Sequence, residues 1–298
     1  MNVMTCRPLA GVTFDLTGTL FGYRGKLGSL YCAGATRVGE ACPHDDEAVE
    51  RGFARAYARM SETHPAFGHA EGMSDKAWWR EVVRQSFAAA GVVYHEAWRF
   101  ERVFGRIYQS FGSRRAYRAF PDAHRILRAL RGRCVVGAVS NASVRYRDGI
   151  LPMLALDVPL DFVLLSGVVG VSKPDARIFR MAVHAVEASA NGWEVCETSC
   201  AGAAAVRTLH LAEGAPNQLP PREVDPADVL HVGDSLAKDC EPASALGMRV
   251  ALVDRFGSPD AAEARRRGIP VFRDLDELGR YVVSAGWLDL EAYSYPCG

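Results

Sequence analysis

The chain of 298 residues is 49% hydrophobic and 23% charged, which is enough to bury a sizeable core in one large or two smaller domains. Its 35 Lys and Arg balance 35 Asp and Glu, so no net charge draws it to nucleic acid or a membrane surface. No apolar run approaches the roughly 18 residues of a membrane span, and the residues before Ala10 lack a long apolar core, so neither a spanning segment nor a secretory signal is expected.

The cysteines, at 6, 32, 42, 134, 196, 200, 240 and 297, are widely spaced, unlike those of a disulfide-stapled mini-protein, and a reducing, cytoplasmic compartment is expected. Cys196, Cys200 and His210 form a lone Cys-x3-Cys with one His and no second pair, so zinc is not expected there.

In chain order, Gly11-Val12-Thr13-Phe14-Asp15 reads as an apolar strand that ends on an acid and turns through Thr17-Gly18-Thr19. An acid at the carboxyl end of a buried strand is where open α/β sheets hold their chemistry, although Asp is also an ordinary turn former. Phe21-Gly22-Tyr23-Arg24-Gly25 reads as a tight flap or turn. Three-to-four spacing, as in Phe53-Ala56-Tyr57-Met60 and Val83-Phe87-Ala90, predicts helices near 30–40, 47–60, 75–90 and 94–111, an all-helical subdomain. Its Trp78, Trp79, Tyr94 and Trp98 could line a pocket, but aromatics at helical spacing more often form core.

Pro121 presets the first turn of the next helix, whose apolar stripe is Ile126, Leu127 and Leu130. The uncharged run Cys134 to Val139 reads as a strand covered on both faces and ends at Ser140-Asn141. A third run, Asp161 to Ser166, precedes Lys173-Pro174-Asp175 and a helix from Ala176 to about Glu187. A fourth, Val229-Leu230-His231-Val232, leads into Gly233-Asp234-Ser235-Leu236-Ala237-Lys238-Asp239, and a fifth covers Arg249 to Val253. Between 188 and 228 an insertion replaces the expected short connection, with a short helix at 201–211 and a loop at 213–226. Strands alternating with helices predict an α/β fold: a Rossmann-like parallel sheet core flanked by helices, from residues 1–22 and 115–298, with the helical subdomain, 23–114, inserted after the first strand.

Strand ends of a parallel sheet share one edge, so Asp15 with Thr19, Ser140 with Asn141, Lys173, and Asp234 with Asp239 should converge. Carboxylates brought together repel one another unless a hard cation and a Lys neutralise them. Mg²⁺ is the natural candidate, and a site holding it can grip phosphate oxygens while Asp15 attacks phosphorus.

Asp15-Leu16-Thr17-Gly18-Thr19-Leu20, Ser140 after a strand, Lys173-Pro174-Asp175, and Gly233-Asp234-Ser235-x3-Asp239 followed by Ala245-Leu246-Gly247-Met248 together resemble the four motifs of haloacid dehalogenase-like hydrolases, over about residues 10–255. The helical insert resembles that superfamily's cap. Ser74 to Gly91 is similar to its eukaryotic subgroup called haloacid dehalogenase-like hydrolase domain-containing protein three. The resemblance implies that Asp15 is a nucleophile forming an aspartyl-phosphate, with Thr19 assisting, and that Ser140, Asn141 and Lys173 hold the phosphoryl group. It further implies Mg²⁺ ligated by Asp15, Asp234 and the backbone carbonyl of Thr17, with Asp239 supporting the metal waters or Lys173.

The departure lies at Thr17, where phosphatases of this superfamily usually carry a second Asp that acts as acid and then base. Thr cannot do this, and loss of a positioned acid or base typically costs about 10²- to 10⁴-fold, so a slow enzyme is expected. The first motif looks instead like that of P-type transport ATPases, whose Asp-x-Thr-Gly-Thr keeps the phosphoenzyme long-lived; without a membrane span, transport is not expected. The expected function is a Mg²⁺-dependent phosphatase or phosphotransferase for a small phosphorylated substrate, working as a monomer or homodimer with no nucleic-acid or membrane partner. Thr17 keeps open a non-catalytic binding or regulatory protein. Carbon–halogen hydrolysis at Asp15 is a lesser alternative, against which Asp234 and Asp239 weigh, since haloacid dehalogenases need no Mg²⁺.

Overall fold

Gly11-Val12-Thr13-Phe14 is buried at every position, as befits a strand covered on both faces, and it forms the middle of the sheet. The computed structural model describes residues 7–43, 45–192, 194–200, 203–209 and 223–293, with backbone alone for 194–200 and 203–209. The chain begins with β1 (Gly11–Phe14), β2 (Phe21–Tyr23), α1 (Leu27–Arg37), α2 (Asp46–Thr63), the short α3 (Pro65–Gly68), α4 (Asp75–Ala89), α5 (Ala97–Ser110) and β3 (Tyr117–Ala119). It continues with α6 (Pro121–Leu130), β4 (Val135–Ser140), α7 (Leu151–Leu154), β5 (Phe162–Leu165), α8 (Ser166–Val169), α9 (Ala176–Ala190), β6 (Glu194–Cys200) and β7 (Ala203–Leu209). The last elements are β8 (Val229–Gly233), α10 (Glu241–Ala245), β9 (Arg249–Val253), α11 (Pro259–Arg266), β10 (Val271–Phe272) and α12 (Leu275–Ser284).

Six strands form one parallel sheet in the order β10-β9-β8-β1-β4-β5. The chain departs from β1 toward β4 on one side and β8 on the other, so strand order reverses at β1 and a crevice opens at its carboxyl end. Apolar residues of α9, including Ile178, Phe179 and Val186, pack with Val139 and Leu164 of the sheet. The sixth strand, β10, and the helix α12 extend the α/β pattern past the five strands expected.

By contacts the chain divides into one unit of residues 1–21, 119–141 and 156–298 and another of 22–118 and 142–155. The second differs from the expected 23–114, because 142–155 groups with the helices. The reason is local: the Arg145 guanidinium stacks on the Tyr108 ring at 3.9 Å and donates to the Tyr108 carbonyl, while Tyr146 packs edge-on against Tyr117. The helices bury Tyr31, Val83, Phe87, Phe104 and Ile107 in a common core. Phe21-Gly22-Tyr23, expected as a turn, is the strand β2, paired with β3.

Trp78 is 1% exposed and belongs to the core, its indole N–H donating to the His64 carbonyl, whereas Trp98 is exposed between Arg99 and Arg102. Tyr94 donates its hydroxyl to the Ala41 carbonyl. Trp79 does line a cavity of about 40 Å³, with Tyr23, Tyr31, Phe53 and Tyr108.

One expectation is overturned. The helix expected at 201–211 is instead the second arm of an antiparallel hairpin, β6 and β7, paired from Glu194↔Leu209 to Cys200↔Ala203. Its β-branched Val195, Thr198, Val206 and Thr208 favour extended backbone over helix. The widely spaced cysteines gave no sign of a disulfide, yet Cys32 and Cys42 are bonded, with Cα atoms 5.3 Å apart. α1 ends at Arg37 and the chain turns back through Gly39, which returns Cys42 to the helix flank. The loop expected at 213–226 falls outside the described residues up to 222, and the Cys196, Cys200 and His210 set lies outside what is described of side chains. Among the described residues no helix is long and apolar enough to cross a membrane.

Candidate active site

The crevice beside β1 gathers polar groups from four chain segments. Asp15, one residue past β1, is tied into the sheet by its N–H, which donates to the Val232 carbonyl at 2.8 Å. Its Oδ1 accepts from Ser140 Oγ at 3.0 Å and from Lys173 Nζ at 2.6 Å. Ser140 ends β4, the strand paired with β1, so the sheet itself sets their spacing.

Asn141 donates one Nδ2–H to the Lys173 carbonyl at 2.8 Å and accepts the Lys173 N–H at 2.7 Å, so its amide clamps the Lys173 backbone, and its NH₂ group carries a second hydrogen besides. That clamp brings Nζ between Asp15 and Asp239, 2.5 Å from Asp239 Oδ1. The remaining Asp239 oxygen accepts from the Ser235 N–H at 3.1 Å.

Asp234 stands at the exposed rim, against the Thr17-Gly18-Thr19 turn. Gly18 adopts φ +91°, and a Cβ there would lie 1.9 Å from Asp234 Oδ2, so this turn needs glycine both for its backbone and for the close approach. Thr19 is fully buried and its hydroxyl has no hydrogen-bond partner. It makes no bond to Asp15 in this state, and a buried hydroxyl of that kind suits an incoming oxygen. The Thr19 carbonyl accepts from Arg255, which also pairs with the buried Asp122 at 2.8 Å. Neither Arg255 nor Asp122 stands in a recognisable motif.

Two further polar residues sit behind the site. His231 on β8 and Thr13 on β1 are both fully buried cross-strand partners in register, with Thr13 Oγ1 2.9 Å from His231 Nδ1. His231 Nε2 lies 3.2 Å from Asp239 Oδ1. The signal in the sequence is a His and a Thr inside strands that are otherwise apolar.

One ammonium thus faces the carboxylates of Asp15, Asp234 and Asp239. Burial opposes the Asp239 charge, but Lys173 and His231 outweigh it and hold that carboxyl well below the usual range. Burial pulls Lys173 toward neutrality, and Asp15 and Asp239 more than compensate, so it stays charged. Asp15 is raised, because burial outweighs the shared Lys173 and Asp239 adds repulsion. Lost hydration, then the charges of Asp15 and Asp239, raise Asp234 as well; since this residue faces solvent, the like charges are the cause we weigh most. When all three carboxylates are ionised, they exceed the single ammonium by two negative charges.

That donor set fits a hard divalent cation, which would take the carboxylates of Asp15 and Asp234 and a backbone carbonyl. Asp239 is committed to Lys173, His231 and Ser235, and among the described residues no cluster of three or more His, Cys, Asp or Glu side chains is arranged to hold a metal.

The family model of haloacid dehalogenase-like hydrolases matches residues 9–247. Haloacid dehalogenase-like hydrolase domain-containing protein 3 of Mus musculus is 30% identical over 286 residues, covering 96% of each chain. Among solved structures, the L-2-haloacid dehalogenase of Xanthobacter autotrophicus superposes with a TM-score of 0.58 at 17% identity, covering 92% of this chain and 98% of that one. A HAD phosphatase from Thermococcus onnurineus gives 0.51 at 17% identity, covering 93% and 99%. These two similarities concern the fold alone.

Proposed function

The chain belongs to the haloacid dehalogenase-like hydrolase family, and we propose that it is a slow Mg²⁺-dependent phosphatase or phosphotransferase acting on a small phosphorylated substrate through an aspartyl-phosphate on Asp15. The observation that carries this reading is Lys173, buried between Asp15 and Asp239 while Ser140 holds the same Asp15 oxygen. The two donors fix the plane of the Asp15 carboxylate and can follow charge onto a phosphoryl group. Asp15 then attacks phosphorus, the bond to the leaving oxygen breaks, and that oxygen takes its proton from solvent because the Thr17 hydroxyl is too weak an acid to supply it. Water hydrolyses the aspartyl-phosphate, or a second hydroxyl accepts the phosphoryl group. A Mg²⁺ held by Asp15, Asp234 and the Thr17 carbonyl would supply charge neutralisation at the phosphoryl oxygens.

The test is incubation with Mg²⁺ and labelled acetyl phosphate, followed by acid quench and a panel of phosphate esters. Acid-stable label that disappears in Asp15→Asn is expected, as is a rise of about 10² or more in turnover on Thr17→Asp. Absence of both labelling and turnover would sink the proposal. A second reading, a binding or regulatory protein, is favoured by Thr17 itself; it predicts phosphate binding with no gain from Thr17→Asp. Metal-independent halide release from a 2-haloacid would point instead to dehalogenase chemistry.

A further inference from the structure

We propose that His231 is a positioning residue that keeps Lys173 aimed at Asp15 by holding Asp239 from behind, with Thr13 selecting the imidazole tautomer. The inference rests on the phosphoryl-transfer reading for its kinetic consequence, though not for its geometry.

The contacts form a closed ring. Thr13 lies two residues before Asp15 on β1, so both project to the same face. From Thr13 the ring runs to His231 Nδ1 at 2.9 Å, from Nε2 to Asp239 at 3.2 Å, from Asp239 to Lys173 at 2.5 Å, and from Lys173 back to Asp15 at 2.6 Å. An ionised carboxylate only accepts, so Nε2 carries the hydrogen that faces Asp239. Nδ1 is then a lone pair, and the Thr13 hydroxyl donates to it in preference to the Leu230 carbonyl, which is 3.5 Å away. Phe179 packs edge-on against the imidazole at 5.0 Å and blocks its rotation.

Asp239 Oδ1 therefore receives two donors, and its direction is set by the pair. Without His231, Oδ1 keeps only Lys173, and the carboxylate can turn about its bond while its other oxygen remains on the Ser235 N–H. Lys173 would follow that turn and leave Asp15. An apolar residue in place of His231 would suit the strand equally well, so the imidazole is placed for the carboxylate rather than for packing.

The experiment compares His231→Gln, His231→Asn, His231→Leu and Thr13→Val in the full chain. Gln carries its amide nitrogen the same number of bonds from Cβ as Nε2, whereas Asn reaches only the Nδ1 position. The rate of Asp15 labelling by acetyl phosphate with Mg²⁺ should fall about 10- to 100-fold in the Asn and Leu variants. The Gln variant should retain most of the rate, and Thr13→Val should fall between. Melting temperatures are measured alongside, since a merely structural role would make rate track stability without rescue by Gln. Long-range ¹H–¹⁵N spectra of the wild-type imidazole give a second readout, and the Nε2–H tautomer is expected. Wild-type rates in Asn or Leu, failure of Gln to rescue, or an Nδ1–H tautomer would each overturn the proposal. If the wild type does not label at all, the phosphoryl-transfer reading fails while the tautomer still decides this one.

Discussion

Lys173→Met is the perturbation that most directly probes the buried network. The Lys173 side chain is 3% exposed and its partners Asp15 and Asp239 are 9% and 1% exposed. Met keeps the apolar stem and deletes the charge, leaving two carboxylates buried without a cation. Breaking a buried pair costs about 3–5 kcal/mol, against about 0–1 kcal/mol for an exposed one, so the unfolded fraction should rise by roughly two to three and a half decades. The pH dependence has a definite sign. In the wild type Asp239 is held below its unfolded value, so its contribution is complete above the ordinary carboxylate range and is lost only as pH falls through the folded value. In the variant both carboxyls rise above their unfolded values, so stability should increase as pH falls from about 7 to 5. Urea unfolding in EDTA at both pH values, followed by tryptophan fluorescence and circular dichroism because two units can melt separately, measures this. A variant within about 1 kcal/mol of wild type and indifferent to pH would refute the reasoning.

Gly18→Ala forces a side chain into positive φ and onto Asp234, and should cost at least about 1–2 kcal/mol in a urea titration while weakening any Mg²⁺ response. Mg²⁺ at about 100 times its dissociation constant should stabilise the protein by about 2.7 kcal/mol, and Asp234→Asn should abolish that shift in a thermal melt. Arg125 grips both oxygens of Asp276, its hydrogen bond being the largest influence that lowers that carboxyl. Because Arg125 is half exposed, Arg125→Ala should cost no more than about 1 kcal/mol at pH 7, an effect that disappears as pH drops below the carboxylate range.

The residues that ended apolar strands were legible in the sequence because a parallel sheet gathers strand ends on one edge, wherever they fall in the chain. Asp15, Ser140, Lys173 and Asp239 meet for that reason. What each polar atom touches was not legible. Asn141 stands beside Ser140, but only the path of the 172–175 loop decides that its amide clamps the Lys173 backbone. Periodicity marked the helices of the second unit yet said nothing of Cys32 meeting Cys42, which depends on how the chain turns after α1. The 201–211 segment misled because alanine-rich sequence has high helix propensity, and pairing along a whole hairpin outweighed it.

His231 shows why register matters to the site as much as composition. The Thr13–His231 contact joins residues 218 apart in the chain, and it exists because β1 and β8 pair Thr13 directly with His231. A slip of one residue would turn His231 to the opposite face of the sheet and leave both Asp239 and Thr13 without it. The apolar residues around it, Leu230 and Val232, resist that slip, since each is fully buried on the reverse face and the slip would exchange them with an imidazole. Core packing of the sheet and alignment of Lys173 with Asp15 are therefore the same constraint, enforced by the same strands.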